Sequence, residues 1–324
     1  MSHLLVLYDL NFINLFKSLP GGVAQGILWG IMALGLYITF RLLNISDLTV
    51  DGSFTTGGAV AVMLIVNGVS AWLALIVAFI AGLIAGTVTG ILHTKLGIPA
   101  ILSGILTQFS LYSINLAIME YKSNIAVSVD KYNLAISSRS IPTSIIISIV
   151  LVILIISLMY WYFGTEIGSA MRATGCNQEM AKAEGININN MKIFGLALAN
   201  GLVAISGALM AQYQGFADIK MGQGAIVIGL AAIIIGEVIG NGLVGKRLNF
   251  YLRLLFVALG GVIYYCVIVL VLWLKLDPNL LKLFTAIIVA IFLAVPNIQE
   301  YNKNSFHKAL KNSTLEDKSW VYYL

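Results

Sequence analysis

The residues best suited to chemistry cluster in Asp47-Leu-Thr-Val-Asp51-Gly-Ser53-Phe-Thr55-Thr56-Gly-Gly58, two carboxylates and four hydroxyls set directly against an apolar run. That run, 54–67, is short for a membrane crossing, which takes about 20 residues. A helix that begins late, with Ser53, Thr55 or Thr56 free to cap its amides, would bring polar groups into a cavity where a polar solute could pass. The alternative is that Asp47 and Asp51 act as N-caps and interfacial anchors in contact with water. A second polar arc falls in the run 98–119. Ser103, Thr107 and Ser110 share one helical face, with Gln108 and Asn115 to one side. Hydrocarbon would strand those amides at a few kcal/mol each, so the arc is expected to face other helices or water, either lining a path or joining a bundle. Asn200, Ser206, Gln212, Tyr213 and Gln214 repeat the theme in 192–213 and at its exit. Glu237, near the end of its run, reads as a proton-relay acid or as an acid paired with Arg41, Lys246 or Arg247.

Catalysis finds no support. The three histidines, His3, His93 and His307, are scattered, and no HExxH helix, phosphate-binding glycine loop or GxSxG elbow occurs. Cys176 and Cys266 are the only cysteines, too few for a disulfide framework or a Cys-rich metal site. Neither a catalytic nor a metal-ligating set is expected.

The elements that must hold these residues follow from composition. Of 324 residues 59% are hydrophobic and 10% charged, and the mean hydropathy is +0.94. A soluble domain carries roughly 25% charge, so the chain is a membrane protein. Apolar runs fall at 23–43, 54–67, 71–93, 98–119, 141–163, 192–213, 222–243, 251–274 and 279–296, which predicts an all-α polytopic membrane protein of about nine transmembrane helices. Residues 1–22, broken by Asp9, Asn11 and Asn14, read as an interfacial segment without the marks of a secretory signal. Residues 23–296 form the membrane domain and 297–324 a cytoplasmic tail. The net charge of +5 matters through its placement. Arg172 and Lys182 in 164–191, Lys246, Arg247 and Arg253 in 244–253, and the lysines of the tail can all lie in the cytoplasm, joined by His93 and Lys95. The mixed-charge 120–140 loop then lies outside. Nucleic acid is not the implied partner.

Two Gly-rich polar stretches, 44–58 and 216–224, each sit between apolar helices about 170 residues apart. In this topology they face opposite sides, as an inverted repeat would place them, although two ordinary loops would look the same. Glycines 82, 86 and 90, and 26 and 30, mark helix-packing stripes. The loop 164–191 predicts two short helices: 168–174 stopped by Gly175, then one capped by Asn177 and stopped by Gly185. Ile167 with Met171, and Met180 with Ala181, offer apolar patches beside Arg172 for a soluble partner, the alternative being a solvated connector stabilised by Glu179 and Lys182.

The stretch Gly168–Ile186 with Met191–Leu209 resembles the permeases of bacterial ABC importers of the branched-chain amino acid and ribose class. The likeness covers most of the chain. Residues 47–58, 96–107 and 213–218 look more like the subgroup of tryptophan/tyrosine or amino-acid permeases. The resemblance implies a paired permease that binds two cytoplasmic ATP-binding subunits through the 164–191 elbow and receives solute from an extracytoplasmic binding protein. It implies that ATP is bound by those subunits, with no cofactor in this chain, and that Arg172, Ala173, Gly175, Glu184 and Gly185 form the ATPase-coupling segment. Cys176 and Gln178 depart from the acidic residue and proline that many relatives carry. Asp51, Ser53, Thr55, Thr56, Gln108, Asn115 and Gln212 are then the residues expected to line or shape the path of an amino acid, with an aromatic one most in keeping. An ion-coupled secondary transporter, with Glu237, Asp47 or Asp51 binding the ion, is one rival reading, and a scaffold or channel whose loop recruits a soluble protein is another.

Overall fold

In the computed structural model the described residues are 12–129, 131–245 and 248–274, with four further helical positions at 283, 286, 287 and 290. The first helix, α1 (Phe12–Tyr37), continues into a π-helical turn, Ile38–Leu42, and stops at Asn44, whose φ of 55° takes the chain out of helical space. It runs through the boundary expected at residue 22. Then follow α2 (Val50–Val66), α3 (Ala71–Thr94), α4 (Ala100–Ile118), strand β1 (Asn124–Ala126), α5 (Ile141–Gly164), α6 (Glu166–Cys176), α7 (Gln178–Ala183), α8 (Ile188–Gln214), strand β2 (Phe216–Asp218), α9 (Ala225–Val244) and α10 (Phe250–Trp273). Among the described residues seven helices are long and apolar enough to cross a membrane, and α2 is a shorter apolar eighth. The expected run 279–296 and the tail 297–324 lie outside the described residues, apart from the four positions above.

Burial sorts the helices. The central pair, α1 and α8, is covered along most of its length, while α4 and α5 expose most of theirs. With lipid as solvent no hydrophobic force joins helices, so contact depends on close approach of small residues. The two predicted stripes serve that purpose. Gly82, Gly86 and Gly90 lay α3 on the α8 backbone at Asn200, Leu196 and Ile193, and Gly26 and Gly30 lay α1 on α10 at Val262 and Ala258. On α2, a Cβ at Gly57 would strike the Ala204 carbonyl of α8, and one at Gly207 would strike that of Phe54. The paired threonines and glycines of residues 55–58 thus include a packing seam.

The strands pair antiparallel, Ile125 opposite Ala217, at the end of the bundle where the 120–140 loop lies. That loop is tied down by the Val127 amide to the Gly215 carbonyl (2.7 Å) and the Ser138 amide to the Tyr213 carbonyl (3.0 Å). The elbow formed by α6 and α7 sits at the other end, against the end of α1. The stretches 44–58 and 216–224 were expected on opposite faces. They meet instead: after β2 the chain folds back until Gly222 rests on the Asp51 backbone and Met221 on Gly58.

Candidate solute path and coupling elbow

Asp47 lies in the connection between α1 and α2, and 2% of it is exposed. Its Oδ1 accepts from the Thr49 amide (2.9 Å), a local turn that sets the start of α2. Its Oδ2 accepts from Nδ2 of Asn200 on α8 (2.7 Å), and Asn200 Oδ1 in turn accepts from the Ser53 hydroxyl (2.7 Å). A second chain of hydroxyls runs beside it, Thr49 to Thr89 at 2.7 Å and Thr89 to Thr107 at 2.9 Å. Four helices, α2, α3, α4 and α8, are therefore joined through buried polar groups that hydrocarbon could not solvate. Asp47 is not a water-exposed anchor. Its partner is 153 residues distant, and the polar character of Asn200 in an apolar run was the one sign of it in the sequence.

Asp51 does cap a helix, though not its own. Its two carboxylate oxygens accept from the amides of Gly224 and Ile226, each at 3.0 Å, at the start of α9. Four amides are orphaned at any helix start, and a carboxylate there also meets the positive end of the helix dipole. Thr55 helps by accepting from the Gly222 amide (3.1 Å) while donating to the Asp51 carbonyl (3.1 Å).

Asp51 and Thr55 line a cleft of about 420 Å³ together with Gln108 and Asn115. Four of the seven expected path residues are thus brought together. The other three do not reach the cleft: Ser53 is turned to Asn200, Thr56 back-bonds to the Gly52 carbonyl (2.9 Å), and Gln212 is buried where its Oε1 accepts from the Ala135 amide (3.0 Å). Of the polar arc on α4, Ser103 and Thr107 are buried, Ser103 bonding back to the Ala100 carbonyl and Thr107 meeting Thr89 of α3, whereas Ser110 is exposed and bonds back to the Leu106 carbonyl. The cleft also contains Phe109, Tyr112, Lys220 and Gln223, none of which was singled out from sequence. Lys220 sits in the chain that folds back after β2, so only the fold carries it to α4.

Asn177 caps α7 through the Met180 amide (3.1 Å), and Gly185 (φ 81°) ends the elbow, as expected. Gly175 does not stop α6, which runs on to Cys176. Its lack of a side chain lets α6 rest on the Leu42 carbonyl at the end of α1. The expected apolar patches divide: Ile167 and Met180 are exposed, but Met171 and Ala181 are buried, Met171 beside Gly195 of α8. Arg172 and Glu184 are exposed, as is Gly185, while Ala173 is half-buried. Glu237 is paired with Arg41. This joins α9 to the π-helical turn of α1 and leaves the acid engaged.

The family described as the permease component of the branched-chain amino acid transport system matches residues 18–296. The chain belongs to that family of ABC-importer permeases. It is accordingly a multi-pass membrane transport protein and not an enzyme. A tyrosine transport system permease protein of Clostridioides difficile (strain R20291) is 40% identical over 276 residues, 85% of this chain and 90% of that one. An uncharacterized protein of Rickettsia prowazekii (strain Madrid E) is 36% identical over 268 residues, 81% of this chain and 92% of its own. More distant is a ribose import permease protein of Haemophilus influenzae, 26% identical over 67% of each chain. No solved structure matches.

Proposed function

We propose that this permease carries an amino acid, an aromatic one, across the bacterial cell membrane by alternating access driven from outside the chain. The cleft carries this reading, because donors and acceptors from α2, α4 and the 219–224 turn converge on one space between helices. The relative named for tyrosine transport supports the choice of solute. Asp51, Thr55, Gln108 and Asn115 line the path, and Ser53, Thr56 and Gln212 shape it by fixing the helices around it. In this reading two copies pair in the membrane, an extracytoplasmic binding protein delivers the solute, and the C-terminus lies in the cytoplasm.

Two cytoplasmic ATP-binding subunits dock on the elbow through Arg172, Ala173, Gly175, Glu184 and Gly185, and they hold the ATP. The geometry gives them a grip. A shift of α6 would press through Gly175 on the end of α1 and through Met171 on α8, and these contacts flank the Asp47–Asn200–Ser53 group that joins α2 to α8. The ion-coupled rival loses its candidate acids: Glu237 is held by Arg41, Asp51 by two amides and Asp47 by Asn200 and Thr49.

Reconstitution tests the reading. Vesicles containing the permease, its co-purified ATPases and the binding protein should accumulate L-tyrosine with ATP. Arg172→Ala or Glu184→Ala should leave the permease inserted and suppress uptake. Gradient-driven accumulation by this chain alone would refute the proposal.

A further inference from the structure

The cleft holds groups that the packing of the helices does not use. Asn115 is fully buried, its Nδ2 is turned to the Gly52 carbonyl at 3.5 Å, and its Oδ1 has no donor among the described residues. A buried amide oxygen with no partner is rare, since leaving it so costs about 1–3 kcal/mol. Lys220 also lines the cleft; its backbone is set by a 2.7 Å bond from its amide to Asp218 Oδ1, while its ammonium enters no ion pair among the described residues. Asp51, whose carboxylate is turned to two amides at the start of α9, forms no ion pair with it. Phe109 and Tyr112 of α4 line the same cleft, 72% and 45% exposed, and neither ring stacks on another aromatic ring among the described residues.

The geometry points to a subsite for a free aromatic α-amino acid within the permease itself, with Lys220 taking the α-carboxylate, Asn115 Oδ1 the α-ammonium, and Phe109 and Tyr112 the ring. An unpaired cation, an unpaired acceptor and two ring faces are complementary to a zwitterion with an aromatic side chain, and an acyl chain or a neutral sugar would leave the ammonium unanswered. The volume of about 420 Å³ suits one small molecule. This inference rests on the reading of the chain as an amino-acid permease. It adds that selection is made in the membrane as well as by the binding protein.

The test is equilibrium binding to the assembled permease–ATPase complex in lipid nanodiscs, without binding protein or ATP. Three ligands are compared: L-tyrosine, tyramine (no carboxylate) and 3-(4-hydroxyphenyl)propionate (no amine). Lys220→Met should weaken L-tyrosine and the propionate about tenfold and leave tyramine unchanged, the loss expected for one charge-assisted bond. Lys220→Arg should retain binding. Asn115→Leu should weaken L-tyrosine and tyramine but spare the propionate, and Asn115→Asp, which keeps an acceptor, should restore them. Equal loss of all three ligands in Lys220→Met, or none, overturns the subsite. So does a wild-type complex that transports L-tyrosine with its binding protein yet binds none of it alone, and in that case the permease reading stands. If the intact importer moves no α-amino acid, the functional reading itself fails.

Discussion

Replacing Asn200 with leucine probes the buried joint between α2 and α8 with a side chain of the same branching and heavy-atom count. The wild-type amide donates to Asp47 Oδ2 at 2.7 Å and accepts from Ser53 at 2.7 Å. In Asn200→Leu the Ser53 hydroxyl can turn back to the Thr49 carbonyl four residues earlier, as serine in a helix readily does. Asp47 has no such recourse, because it is 2% exposed and keeps only Thr49 as a partner, chiefly through its amide. A hydrogen bond to a charged group is worth about 1.5–3 kcal/mol, and a stranded buried acceptor costs about 1–3 kcal/mol more. The expected loss is about 3–5 kcal/mol, well above the roughly 0.6 kcal/mol average for interhelical bonds in membranes. Reversible unfolding in a graded SDS titration, read by circular dichroism, measures it. Asp47→Asn combined with Asn200→Leu removes the stranded charge and should cost less than Asn200→Leu alone. A loss under about 1 kcal/mol, or additive effects in the pair, would refute the account of Asp47 as a buried carboxylate held by Asn200.

Further outcomes follow from other contacts. Gln108→Leu should lower uptake of the solute while expression and melting temperature hold, because the side chain is half-buried at the cleft wall and joins no side-chain hydrogen bond among the described residues; unchanged uptake removes it from the path. Gly175→Val drives a side chain into the Leu42 carbonyl and should cost about 1–3 kcal/mol, with ATP hydrolysis no longer coupled to transport in reconstituted vesicles. Gly86→Val should separate α3 from α8 by a similar cost, seen as a lower melting temperature in detergent. The Arg41–Glu237 pair is partly exposed, with Arg41 44% accessible, so Glu237→Gln should change stability by no more than about 1 kcal/mol and create no proton-driven uptake in a pH-jump assay.

The architecture was legible wherever the cause is local. Long apolar runs must be helices because a lipid solvent offers no partner to an open backbone, and eight of them are seen among the described residues. Asn177, Gly185 and the glycine stripes were readable for the same reason, since a cap or a small-residue face acts through its own helix or its immediate surface. What apolar periodicity leaves open in a membrane is the angle at which each helix turns its polar residues, because lipid and protein are equally apolar neighbours. Tertiary structure decided that Met171 points inward and Ser110 outward. It decided too that Asp51 caps a helix beginning 174 residues later in the chain, that Asp47 finds Asn200, and that Lys220 arrives at the cleft. Those partners are chosen by which backbones can approach closely, a property of the assembled bundle that no single helix contains.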